Sequence, residues 1–76
     1  MTAEEMFEKL GYEKLDSKNL LYKKKHFSGF ILRIAFFDNK KILITESIGL
    51  EDLQAINKQV EELGWYEWRK IKRNIR

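Results

Sequence analysis

Residues 50–65, LEDLQAINKQVEELGW, spell out an amphipathic helix together with its stop signal. Leu50, Leu53, Ile56, Val60 and Leu63 recur at three- and four-residue steps and therefore share one face. Gly64 supplies the left-handed residue that ends such a helix, and Trp65 can fold back onto its last turn. Gly49 is the expected N-cap, conformationally permissive but without the side-chain acceptor of serine or aspartate. A stripe of this kind needs a partner surface, which the remaining sequence must supply.

A second, shorter helix is legible at the start of the chain. Thr2-Ala3-Glu4-Glu5 has the form of a capping box. Ala3, Met6, Phe7 and Leu10 follow as an apolar stripe, and Gly11 marks the stop, which predicts a helix over 3–10. Residues 12–19 are polar and irregular and read as a connector. From Leu20 the period changes to two, giving three expected strands: 20–26, 30–37 and 41–45. For the second hairpin, a three-residue loop at 38–40 pairs Phe36 with Ile42 and Ile34 with Ile44. Sliding by one would waste Phe36 on Lys41. For the first hairpin, loops of two or three residues are equally defensible.

The expected architecture is α+β, in the order α-β-β-β-α: a three-stranded antiparallel meander with both helices on one face. Its expected core is Met6, Phe7, Leu10, Phe30, Leu32, Ile34, Phe36, Ile42, Ile44, Leu53, Ile56, Val60 and Leu63. Residues 1–68 form the expected domain and residues 69–76 a basic extension. With 76 residues and no cysteine, stability must come from one modest apolar core, for which 43% hydrophobic content suffices. Of fifteen basic side chains, five lie in RKIKRNIR at 69–76, leaving ten against twelve acidic ones in residues 1–68. Trp65, Trp68, Ile71 and Ile75 share an arc at helical spacing, so that segment reads either as a short basic helix or as a frayed tail.

Enzyme signatures are absent from the pattern. His26, the single histidine, stands beside three lysines and reads as a turn-adjacent surface residue with no orienting partner in view. Glu4, Glu5 and Glu8 read as a solvated helix face that complements the helix dipole rather than as a metal cluster. The scattered glycines form no phosphate loop. No cofactor or metal is expected. No run reaches the roughly 18 apolar residues of a membrane span, and the acidic start MTAEEMFEKL is unlike a secretory signal. A cytoplasmic location without membrane contact is expected.

Two surfaces remain as candidates for a partner. Ile31, Ala35, Phe37 and Leu43, interrupted by Arg33 and Thr45, point away from the expected core. Such a face meets a second sheet, in a homodimer or a protein partner, or is covered by the C-terminal segment. Trp68, Arg69, Lys70, Lys72 and Arg73 combine an aromatic ring with cations, as single-stranded nucleic-acid contacts do.

The stretches TAEEMFEKLGYEK (2–14) and LEDLQAINKQVEELGW (50–65) resemble a family of small proteins carried by phages and prophages of Firmicutes. Their endings are similar to EELQAINKQVEELGW and their middles are variable and rich in strands. Here the middle is shorter and more apolar, and the basic extension after Trp65 is longer. The resemblance implies a phage accessory protein expressed in a bacterial cytoplasm, of a kind that often acts by binding, host defence machinery included, and the leading expectation is a non-enzymatic domain acting by protein–protein contact. The far sheet face (Ile31, Arg33, Ala35, Phe37, Leu43) is its expected interface, self-association included. The alternative is a nucleic-acid-binding module using the basic aromatic C-terminus. A third reading, acidic helix faces acting as a phosphate mimic, is weak because residues 1–68 are nearly charge-balanced.

Overall fold

A computed structural model describes residues 1–67. Helix α1 (Ala3–Lys9) begins at the capping box: the Glu5 amide donates to Thr2 Oγ1 at 3.2 Å, and the Thr2 amide donates to Glu5 Oε1 at 2.8 Å. These contacts hold the Glu5 carboxyl below its ordinary pKa. Gly11, at φ +92°, ends the helix. Strands β1 (Glu13–Leu15), β2 (Leu20–Lys25), β3 (Ile31–Phe36) and β4 (Ile42–Ile44) follow, then helix α2 (Leu50–Glu62) and a 3-10 turn (Trp65–Glu67). The sheet is antiparallel with the strands in chain order, so β1 and β4 are its edges.

The α+β class stands, but the sheet has four strands where three were expected. Residues 13–15 belong to the supposed connector. Their sequence, Glu-Lys-Leu, shows no alternation because the pairing comes from outside: Glu13 faces Lys23 with a 3.8 Å ion pair, and Leu15 faces Leu21. Lys14 points to the other side and reaches Glu4 of α1 at 3.2 Å.

Both hairpins use the same three-residue loop. In β2–β3 the His26 amide donates to the Phe30 carbonyl and the Gly29 amide to the His26 carbonyl, with Gly29 at φ +95°. In β3–β4 the Phe37 amide donates to Lys41 and the Lys40 amide to Phe37, with Lys40 at φ +64°. This loop needs a left-handed third residue. It places Ile34 opposite Ile44 and Phe36 opposite Ile42, as the alternation predicts, and it settles the first hairpin in favour of three residues.

The core lies between the sheet and both helices. Phe7 stacks on Tyr22 with ring centroids 4.0 Å apart, and Tyr12 and Phe36 meet Phe7 edge-on. Leu32, Ile34, Ala3, Ala55, Ile56 and Val60 complete it. Ala3, Tyr12, Tyr22 and Ala55 were not in the expected core. Four expected members lie outside it. Phe30 sits at the hairpin end, 65% exposed, beyond the reach of the helices. Leu53, Leu63 and Ile44 are also exposed, because α2 is rotated by roughly a fifth of a turn from the orientation its leucines suggest. The reason is local. Ala55 and Ala3 are small enough for α1 and α2 to approach closely, and the buried Gln59 accepts a hydrogen bond from the Tyr22 hydroxyl at 2.9 Å. These residues, rather than Leu50 and Leu53, define the buried face.

Candidate functional site

The helices cover one face of the sheet. Among the described residues nothing lies over the other. Register places Leu15, Leu21, Ala35 and Leu43 side by side across all four strands, forming one apolar row on this outer face. The adjoining row runs Glu13, Lys23, Arg33, and Thr45 closes it by accepting the Arg33 amide on Oγ1 at 2.8 Å. Lys25 and Ile31 form the next pair. The face is therefore apolar in one band and basic in the next.

The five residues expected there are distributed unevenly. Ile31, Arg33 and Leu43 are exposed and Phe37 is half-buried, whereas Ala35 is only 6% exposed, recessed between Leu21 and Leu43. Leu15 and Leu21 join the row unpredicted. Leu15 belongs to the strand that carries no period-two signal. Leu21 was concealed by the open choice of loop length in the first hairpin, which decides the side it faces. Trp68, Arg69, Lys70, Lys72 and Arg73 lie outside the described residues, as does the expected basic helix.

A second concave region lies between the end of α1, the β2–β3 loop and the start of α2. It is an open cleft of about 760 Å3 lined by Leu10, Lys24, His26, Phe27, Ile48 and Asp52, among others. Lys24, Asp52 and the Tyr12 hydroxyl are engaged with one another there. Lys24 Nζ donates to the Leu10 carbonyl at 3.1 Å, sits 3.4 Å from Asp52 Oδ1, and lies 4.5 Å above the Tyr12 ring. The Tyr12 hydroxyl donates to Asp52 Oδ1 at 2.7 Å, and the Gly49 amide donates to Asp52 Oδ2 at 2.9 Å. Burial would raise the Asp52 pKa, but the Tyr12 hydroxyl, the Gly49 amide and Lys24 outweigh it, and the net direction is down. Burial and the Asp52 carboxylate push the Tyr12 hydroxyl well up.

His26 is not the surface residue its lysine-rich setting suggests. It is 7% exposed, with Nε2 on the Ser47 carbonyl at 3.0 Å and Nδ1 against Ser28 Oγ at 2.8 Å. The Ser28 amide also donates to Nδ1 at 3.1 Å, so Nδ1 is an acceptor and Nε2 carries the proton. The imidazole braces the hairpin loop and pins it to the segment that enters α2. No group of three or more His, Asp or Glu side chains with metal-binding geometry occurs among the described residues. No helix among them is long and apolar enough to cross a membrane. In comparisons with protein-family models, curated proteins and solved structures, no match to this chain was found.

Proposed function

We propose that this chain is a phage-derived accessory domain that works without catalysis, by protein–protein contact through the outer face of its sheet. One observation carries the reading: the apolar row Leu15–Leu21–Ala35–Leu43 spans the full width of the sheet, with nothing over it among the described residues. An antiparallel sheet that faces water alternates apolar-in with polar-out. Here the out positions of that row are apolar on every strand. Lys25 and Arg33 beside it, with Lys23 paired to Glu13, suit a partner surface with acidic groups around an apolar patch. The phage origin rests on the resemblance of residues 2–14 and 50–65.

Site-specific photo-cross-linking in a bacterial host tests the interface. A photoreactive residue at Ile31 or Leu43 should give a discrete protein adduct, and one at Glu8 on exposed α1 should not. Phe37→Asp should remove the adduct while leaving the far-ultraviolet circular dichroism unchanged. Equal labelling from all three positions, or none from the sheet, refutes the assignment.

A further inference from the structure

Edge strands expose unpaired backbone groups and are usually blunted by charge or shortness. The two edges here differ. β1 carries Glu13 and Lys14. β4 presents Ile42-Leu43-Ile44 with no charge in its length. Leu43 is 49% exposed, Ile44 38%, and Leu53 of α2 43%. Alongside the strand, Ile42, Ile44, Leu53, Ile56 and Val60 line an open groove of about 410 Å3 between β4 and α2.

Backbone geometry fixes which groups this edge offers. The Phe37 amide bonds the Lys41 carbonyl and the Thr45 amide bonds the Arg33 carbonyl. In an antiparallel ladder these bonds alternate along the strand. Residues 41, 43 and 45 therefore turn their backbone groups to β3, and Ile42 and Ile44 turn theirs outward. The sequence around them, Lys40-Lys41-Ile42-Leu43-Ile44-Thr45-Glu46, runs from basic through apolar to acidic. Among the described residues, neither Lys40, Lys41 nor Glu46 has an ion-pair partner.

We propose that two copies of this chain pair antiparallel through β4, centred on Leu43, to make one continuous eight-stranded sheet. The proposal rests on the protein-contact reading and names a second copy as one partner. Centring on Leu43 is the register in which both outward-facing residues find partners, Ile42 against Ile44 of the partner subunit and the reverse. The same register brings Lys40, in the loop that enters β4, near Glu46 of the partner subunit, just past the end of its β4, twice over by symmetry. It also covers Ile42 and Ile44 on the helix side, beside Leu53, and brings Leu43 against its own copy on the outer side. The apolar row then runs unbroken across both subunits, doubling the face offered to another protein.

Sedimentation velocity and equilibrium on the full chain test it. A dimer is expected at submillimolar concentration. Lys40→Glu and Glu46→Lys should each weaken it by about tenfold, since each removes two symmetric charge contacts. The Lys40→Glu/Glu46→Lys double variant should restore it, because the charges are exchanged across the same register. Ile44→Pro removes an outward amide without removing a bond to β3, and should give a folded monomer. Single charge variants that dimerise like the parent, or a double variant that stays weak, overturn the register. A monomeric parent overturns self-pairing while leaving the outer-face adducts at Ile31 and Leu43 to stand or fall separately. An adduct at Leu43 to a second copy reports the edge alone, so a dimer whose Ile31 position gives no adduct would keep the edge and refute the face.

Discussion

The hydrogen bond between Tyr22 and Gln59 lies on the side of α2 that faces the sheet and, with the close approach at Ala55, holds that side inward. Tyr22 is 1% exposed and Gln59 is among the buried residues, with 2.9 Å between hydroxyl and amide oxygen. Tyr22→Phe keeps the ring stacked on Phe7 but leaves the Gln59 carbonyl oxygen buried without its donor. Such an orphan costs about 1–3 kcal/mol. Gln59→Leu leaves the Tyr22 hydroxyl without its acceptor, at a similar cost. Combining the two removes both polar groups, so the double variant should recover most of the loss, with a coupling of about 1 kcal/mol or more. In a chain of this size each kcal/mol moves the melting temperature by roughly 4–8 °C, readable by calorimetry or circular dichroism. The Gln59→Leu variant has a second signature. With an apolar residue at 59 the helix is freed to turn its leucines inward, so solvent labelling around Leu53 should fall. If Tyr22→Phe costs less than a few tenths of a kcal/mol, or the two losses simply add, the bond does not fix the helix rotation and this account of it is wrong.

Other outcomes follow from loop geometry and titration. Lys40→Gly should raise the melting temperature by several degrees, because a non-glycine residue in the left-handed region costs roughly 1 kcal/mol. Gly29→Ala, at the equivalent loop position, should lower it. A β-carbon there meets no atom within 4 Å, so the effect is conformational alone, and equal signs for the two variants would contradict the shared loop. Asp52 has a depressed pKa in the fold, so its contribution is complete above the ordinary aspartate value and disappears as pH falls through the lower folded value. Urea titrations should show that acid-side loss shrinking in Asp52→Asn. Tyr22 is shifted the other way, to about 12, by burial first and then by the carboxylates of Glu4, Glu62 and Glu8. Stability should therefore be complete below the ordinary tyrosine value near 10 and decline as pH rises towards 12, and Tyr22→Phe should make that limb shallower, leaving the part that the raised Tyr12 hydroxyl contributes.

Much of this fold could be read from residues whose signals are local. The Thr2–Glu5 capping box, the stops at Gly11 and Gly64, and the pairing of Phe36 with Ile42 each depend on a few neighbouring positions, and each is found where expected. The elements that escaped depend on distant partners. β1 is a strand only because β2 lies beside it. Tyr22 looked like part of a ragged strand because Lys24, on the same face, carries its ammonium to the Leu10 carbonyl and Asp52 rather than to solvent. Gln59 and Ala55 carry no hydrophobic signal strong enough to outvote Leu50 and Leu53, yet they form the contact surface. The candidate interface was legible for the same reason and to the same extent. Ile31, Arg33, Phe37 and Leu43 were placed by the well-determined second hairpin. Leu15 and Leu21 needed the first hairpin and the unpredicted strand.

The contact between the Ala3 amide and the Glu62 carboxylate, 2.8 Å long and 59 residues apart in sequence, ties the fate of the two helices together. A seven-residue helix is far too short to hold its form alone in water. Helix α1 is held from two sides: Phe7 stacks on Tyr22, close by in sequence, whereas the Ala3 amide finds Glu62 only across the largest loop in the chain. Loosening of the final turn of α2 therefore takes one of these two supports from the opposite end of the sequence and leaves the stack of Phe7 on Tyr22 to hold the helix.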